Sequence, residues 1–173
     1  VLKLLNFLPI RSALLDADAL LEFVLPSKVK RDFSELAIPL RVVATDFYAQ
    51  EPAIFSSGAL RTAVAASMAL PAIFSSVMIC GRAMVDGGLV NPLPFDTLDG
   101  VADITVAIDV SGAPRGEGVR AQPSAMEVLL ASSQILQRSI IREKLKVTRP
   151  DIYIDCAVDA FTVEFCGITD NKD

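Results

Sequence analysis

Residues 83–88 read Ala-Met-Val-Asp-Gly-Gly and place a carboxylate, Asp86, between a short β-rich run and a pair of glycines. Glycine adopts positive φ without strain and lets a neighbouring group come close to the backbone. Gly87 and Gly88 therefore predict a sharp turn directly after the strand. Such a turn exposes the carboxylate to a reaction partner, so Asp86 is the first candidate functional residue of this chain.

The elements around Asp86 can be predicted from the pattern of apolar and turn residues. The turn Cys80-Gly81-Arg82 lies between residues 77–79 and 83–85 and predicts a tight β-hairpin. Three further β-rich runs are predicted to be core strands: 39–45, 103–110 and 151–156. Three segments are predicted to be helices: 16–25, a segment that Ser57 caps and Pro71 ends, and a long one that begins at a capping box of Ser124 and Glu127.

Strands that alternate with helices are typical of an α/β fold with a mostly parallel sheet covered by helices on both sides. In such a sheet the functional groups collect at the carboxyl ends of the strands. Asp46, Asp86 and Asp109 each lie near the end of a predicted strand, so these three acids are the candidates for chemistry.

The composition restricts the functions that are open to this chain. It has 173 residues, and 52% of them are apolar, which suits a sheet buried on both faces. The net charge of −5 argues against nucleic acid as a partner. There is no histidine, so any acyl transfer must proceed without an imidazole base.

The cysteines and the longest uncharged stretch exclude two further kinds of structure. Three cysteines without a C-x-x-C spacing argue against a disulfide framework and a zinc site, and they predict reduced thiols and a cytoplasmic location. Residues 62–80 carry no charge, and a membrane span needs about 20 apolar residues. Because Pro71 interrupts this stretch, we predict two buried elements joined by a turn instead of a span.

Two blocks around Asp86 carry the pattern of a known family. They are residues 63–74, Ala-Val-Ala-Ala-Ser-Met-Ala-Leu-Pro-Ala-Ile-Phe, and residues 81–94, Gly-Arg-Ala-Met-Val-Asp-Gly-Gly-Leu-Val-Asn-Pro-Leu-Pro. Together with residues 38–46, 55–58 and 102–111, they resemble the patatin-like phospholipases, in particular the bacterial branch related to neuropathy target esterase. The resemblance extends from about Leu15 to Ile154. It implies a three-layer α/β/α domain with a mostly parallel central sheet, and a Ser–Asp dyad that hydrolyses acyl esters of lipids.

For the site, the resemblance implies that Asp86 is the catalytic aspartate and that Gly87 and Gly88 complete its motif. It implies no cofactor and no metal. The sequence contains no G-x-S-x-G nucleophile motif and no glycine-rich oxyanion loop, which the family carries upstream of this aspartate. We therefore expect residues 1–173 to be a single partial domain, the C-terminal portion of a patatin-like catalytic domain. The nucleophilic serine is then expected outside this chain.

The expected partners follow from the same resemblance. The substrate is a lipid or lysophospholipid acyl ester, reached with or without a peripheral contact to a membrane. We expect the flanks of the strands at 40–44 and 104–108 to be uncovered and to bind the missing N-terminal segment or a second copy of the chain. The alternative is a patatin-like domain without a nucleophile that acts as a binding or regulatory module. A nucleotide-binding domain is disfavoured because no glycine-rich phosphate loop is present.

Four other candidate features are interpreted as structural. Asp46 is predicted to accept hydrogen bonds after its strand, and Asp109 with Ser111 to close a turn. Ser67 lies on a predicted helix and lacks the strained turn of a nucleophile elbow. Asn91 is predicted to close the Asp-Gly-Gly turn.

Overall fold

The computed structural model describes residues 29–71, 73–111 and 122–156 of the chain. Its contacts divide the chain into two compact units, Val1–Thr97 and Leu98–Asp173, and each is described by itself. The helix predicted at residues 16–25 lies outside the described residues.

The first unit is built on a four-stranded antiparallel sheet. Its strands are β1 (Val42–Asp46), β2 (Glu51–Phe55), β3 (Val77–Ile79) and β4 (Arg82–Asp86). They lie in the order β2-β1-β4-β3. The predicted hairpin is confirmed: β3 and β4 pair around a turn in which Cys80 and Gly81 have φ of 51° and 75°.

Helix α1 (Leu60–Ser67) packs on this sheet and forms the main core with it. Ala65 and Ala66 of the helix are fully buried beside Ala44 of β1 and Met84 of β4. Since alanine carries nothing beyond Cβ, the helix backbone can approach the sheet closely. This packing fixes the end of α1 next to the end of β4, where Asp86 lies.

The start of α1 differs from its prediction. The N-cap residue is Ala59, which makes no side-chain capping bond, so the assignment of Ser57 as the cap is wrong. The Leu60 N–H donates instead to the Arg31 carbonyl at 2.9 Å. Tertiary contact therefore satisfies the backbone donor that a capping hydroxyl would have satisfied.

The uncharged stretch at residues 62–80 divides as predicted. It contains most of α1, a turn at Pro71 and strand β3. Within the part of the chain that the structure describes, no helix is both long enough and apolar enough to cross a bilayer.

The second unit contains a strand–helix–strand crossover. Strand β5 (Val106–Asp109) pairs in parallel with β6 (Ile152–Asp155), and helix α2 (Ala125–Val147) lies between them in sequence. The predicted capping box of α2 is confirmed by two reciprocal bonds. The Ser124 N–H donates to Glu127 Oε2 at 2.6 Å, and the Glu127 N–H donates to Ser124 Oγ at 3.2 Å.

The α/β class holds, but the sheet that carries Asp86 is antiparallel, so the mostly parallel sheet is not what the described residues form there. For two of the three strand pairs in this sheet, the reason lies in the lengths of the connections. Short turns join β1 to β2 and β3 to β4, and such turns can only connect antiparallel strands. A parallel pair needs a crossover of a dozen or more residues, which the segment containing α2 provides for β5 and β6.

The expectation that the flanks of the strand at residues 40–44 are uncovered is also wrong. Strand β1 lies between β2 and β4 and all five of its residues are buried, so it is an interior strand. In β5, by contrast, the residues Val106 and Ile108 are about half exposed, at 47% and 53%.

Candidate functional site

Asp86 is the last residue of β4 and precedes a single 3₁₀ turn, Gly87–Leu89. Three hydrogen bonds fix its position. Its N–H donates to the Ala69 carbonyl at 3.0 Å, just beyond α1. Its carbonyl accepts from Thr45 Oγ1 at 2.7 Å, and its carboxylate Oδ1 accepts from the Gly88 N–H at 2.6 Å. The segment just after α1 and strand β1 thus both hold this residue.

Gly87 is required at its position by close packing. A Cβ added there would lie 2.1 Å from the Val43 carbonyl oxygen and 2.8 Å from its carbonyl carbon. The expectation of positive φ is wrong for both Gly87 and Gly88, since neither is among the residues with positive φ. The close approach is therefore real, but the group that comes close is the backbone of β1.

The two carboxylate oxygens of Asp86 have different surroundings. Oδ1 is held by the Gly88 N–H, whereas Oδ2 accepts no hydrogen bond from the residues that the structure describes. Burial raises the pKa of Asp86 above its ordinary 3.8, and the Gly88 hydrogen bond offsets this only in part. The result is an anchored carboxylate of increased basicity, one oxygen of which has no partner in the described part of the chain, and it is suited to accept a proton from a hydroxyl.

The turn after Asp86 is closed as predicted for Asn91. The N–H groups of Val90 and Asn91 donate to the Gly87 carbonyl at 3.2 and 2.9 Å. The Asn91 side chain is buried and donates to the Asp96 carboxylate, with distances of 3.2 and 3.3 Å to its two oxygens. Asn91 therefore stabilises the turn through its main chain and the following segment through its side chain.

Asp46 has the structural role predicted for it. Its Oδ1 accepts from the N–H groups of Tyr48 and Ala49, each at 3.1 Å, and its Oδ2 accepts from Arg82 Nε at 2.6 Å. The Ala49 N–H and then the Arg82 side chain lower the pKa of this buried carboxylate below 3.8. Both oxygens are occupied, so Asp46 is poorly placed to act as a base.

Asp109 belongs to the second unit and closes a turn, as predicted. Its Oδ1 accepts from the Ser111 N–H and Oγ at 2.9 and 2.6 Å. Its Oδ2 accepts from the Tyr153 hydroxyl at 2.8 Å. Burial opposes ionisation here, but these hydrogen bonds together lower the pKa of Asp109. Burial and then the neighbouring Asp109 raise the pKa of Tyr153 to about 12.

Ser67 is the last residue of α1 and has ordinary helical surroundings, not those of a nucleophile elbow. Sequence reasoning missed Thr45, Ala69 and Tyr153, the residues that hold the strand-end acids in place. For Thr45 a signal existed, because it is a polar residue inside a strand that is otherwise apolar up to Asp46.

The comparisons with known proteins agree with one another on the family of this chain. Residues 2–99 match the family model for patatin-like phospholipase. Over 125 residues the chain is 33% identical to an uncharacterized NTE family protein of Mycobacterium bovis. It has the same identity to uncharacterized NTE family proteins of Mycobacterium tuberculosis strains CDC 1551 and H37Rv. The matched region is 72% of this chain and 35% of each relative, so the chain spans about a third of the length of these relatives.

Proposed function

The chain belongs to the patatin-like phospholipase family. We propose that it is part of a lipid acyl ester hydrolase and that its Asp86 is the base of a Ser–Asp dyad. The proposed substrates are phospholipids or lysophospholipids. The proposed location of the protein is the cytoplasm, where it makes a peripheral contact with the lipid surface that contains the substrate.

The geometry of Asp86 is the observation that carries this proposal. Its carboxylate is anchored through Oδ1, and Oδ2 has no partner among the described residues. Its pKa is raised by burial, whereas hydrogen bonds lower the pKa of the other two strand-end acids, Asp46 and Asp109. An ordinary carboxylate is a weak base for a serine hydroxyl, and desolvation together with fixed placement makes it a better one.

The proposed reaction has two steps, and Asp86 serves both. Oδ2 accepts the serine proton as the serine oxygen attacks the acyl carbonyl carbon. When the tetrahedral intermediate breaks its ester C–O bond, the departing alcohol oxygen takes that proton from Asp86. A water molecule then gives a proton to Asp86 and attacks the acyl-enzyme, and the serine oxygen recovers the proton as the fatty acid leaves.

The serine and the oxyanion donors are proposed to lie outside this chain. The sequence has no G-x-S-x-G and no glycine-rich oxyanion loop. The relatives are also longer, since the matched region is only 35% of their length. We propose accordingly that residues 1–173 form one part of a three-layer α/β/α catalytic domain and contribute the segment that follows the nucleophile.

Labelling with a fluorophosphonate, which reacts with activated serines, tests the proposal on the full-length natural protein. We expect a single labelled serine within a G-x-S-x-G outside this chain, together with hydrolysis of nitrophenyl esters and lysophospholipid. The variant Ser67→Ala is the control and should be labelled like the wild type. Labelling of Ser67 or Ser111 would show that the site is misplaced. A protein that binds phospholipid vesicles but shows neither labelling nor hydrolysis would favour the binding or regulatory module.

A further inference from the structure

Thr45 carries a buried hydroxyl in a strand whose preceding residues, Val42 to Ala44, are all apolar. It is 4% exposed and lies in β1, whose five residues are all buried. Burying a hydroxyl costs free energy unless the group forms a hydrogen bond. Thr45 Oγ1 forms one, and its acceptor is the Asp86 carbonyl at 2.7 Å. The hydroxyl therefore joins the centre of the sheet to the residue that carries the proposed base.

This bond acts on the peptide group between Asp86 and Gly87. On one side of that peptide the Thr45 hydroxyl holds the carbonyl oxygen. On the other side Gly87 lies against the backbone of Val43 so closely that no Cβ would fit. The following N–H, that of Gly88, donates to the Asp86 carboxylate at 2.6 Å. A rotation of the first peptide would therefore move the N–H that orients the carboxylate.

We propose that Thr45 is a positioning residue for Asp86, which fixes the Asp86–Gly87 peptide and through it the direction of the carboxylate. This inference rests on the proposed function, since it assigns Thr45 to the same site. Thr45 acts through Asp86 and does not itself touch the reacting atoms.

The series Thr45→Val, Thr45→Ser and Thr97→Val in the full-length protein tests this role. Valine keeps the shape and loses the hydroxyl, so we expect kcat to fall about three- to tenfold, the loss of one hydrogen bond, with little change in KM. Serine keeps the hydroxyl and should retain most of the wild-type kcat. Thr97 Oγ1 also donates to a backbone carbonyl, that of Pro94 at 2.6 Å, so Thr97→Val is a matched control and should leave kcat unchanged.

Wild-type kcat in a folded Thr45→Val variant would overturn the inference. If Thr45→Val does not fold, the pair Thr45→Ser and Thr45→Ala replaces it, because both are smaller than threonine and only serine keeps the hydroxyl. Equal kcat in that pair would overturn the inference, and a lower kcat for alanine supports it. The variant Asp86→Asn separates the two levels. Full activity of Asp86→Asn refutes the proposed function. If Asp86→Asn is inactive but the Thr45 variants all keep the wild-type kcat, only the role of Thr45 is refuted.

Discussion

The three strand-end aspartates differ in how their carboxylate oxygens are used. Asp46 and Asp109 each accept three hydrogen bonds that occupy both oxygens, and the pKa of each is lowered. Among the described residues, the Asp86 carboxylate accepts one hydrogen bond, and burial raises its pKa. A low pKa indicates a carboxylate stabilised as an anion, while a raised pKa indicates one kept basic at some cost in stability. The arrangement at Asp86 therefore suits chemistry more than folding.

Gly87 provides a prediction at the residue scale. The variant Gly87→Ala places a Cβ 2.1 Å from the Val43 carbonyl oxygen, and backbone atoms cannot move aside cheaply. We expect the free energy of unfolding to fall by about 3 kcal/mol or more. The measurement is denaturant unfolding of the full-length protein.

Gly100→Ala is the matched control for this prediction. Gly100 has φ of 69°, but an added Cβ there would meet nothing within 4 Å. Only the conformational cost remains, about 1–2 kcal/mol. If Gly87→Ala cost no more than Gly100→Ala, the close packing of the turn on β1 would not be the reason for glycine.

At the scale of elements, Asp46 joins the β1–β2 turn to β4. It accepts from two N–H groups of the turn and from Arg82 at the start of β4. Its folded-state pKa lies below the unfolded value, so its contribution to stability is present above about pH 4 and is lost as the pH falls through the folded pKa. This acid should therefore affect folding and leave the chemistry unchanged.

The variant Asp46→Asn tests that assignment. Asparagine can keep the acceptor for the turn, but it loses the charge opposite Arg82 and no longer titrates. We expect a lower melting temperature at neutral pH, a smaller further fall between about pH 6 and pH 3 than in the wild type, and nearly unchanged kcat. The exposed Asp99→Asn serves as the control. An Asp46→Asn protein as stable as the wild type but inactive would reverse the roles given to Asp46 and Asp86.

Elements formed by local interactions could be predicted from the sequence. The capping box of Ser124 and Glu127 and the β3–β4 hairpin depend on residues close in sequence, and both are confirmed. The pairing of β1 with β4 joins residues far apart in sequence, such as Ala44 and Asp86, and the prediction of a mostly parallel sheet was wrong there. Ser57 failed as a cap because a contact with the Arg31 carbonyl replaces it.

For the candidate site, the sequence indicated Asp86 as the candidate residue but missed the residues that hold it. The signals that located it were a strand, an acid and two glycines in succession. Thr45 and Ala69 lie far from Asp86 in sequence, and only the pairing of β1 with β4 and the packing of α1 bring them together. The reason for Gly87 was likewise visible only once the Val43 backbone was placed beside it.

At the scale of the whole molecule, the chain spans about a third of the length of its relatives. The proposed dyad is therefore divided between this chain, which supplies Asp86, and a serine outside it. A site divided in this way makes a definite demand on Asp86. Its loss must abolish catalysis in the full-length protein without unfolding it.

The kcat of Asp86→Asn in the full-length protein tests this central claim most directly. The amide keeps the shape of the carboxylate but cannot accept the serine proton, so we expect kcat to fall by about 10²- to 10⁴-fold. Because partial burial raises the pKa of the Asp86 carboxylate, its charged form lowers stability at neutral pH, and the variant should melt at the same temperature as the wild type or higher. Asp99→Asn, at an exposed position, should behave like the wild type in both measurements. A folded Asp86→Asn protein that kept more than about half of the wild-type kcat would contradict the account.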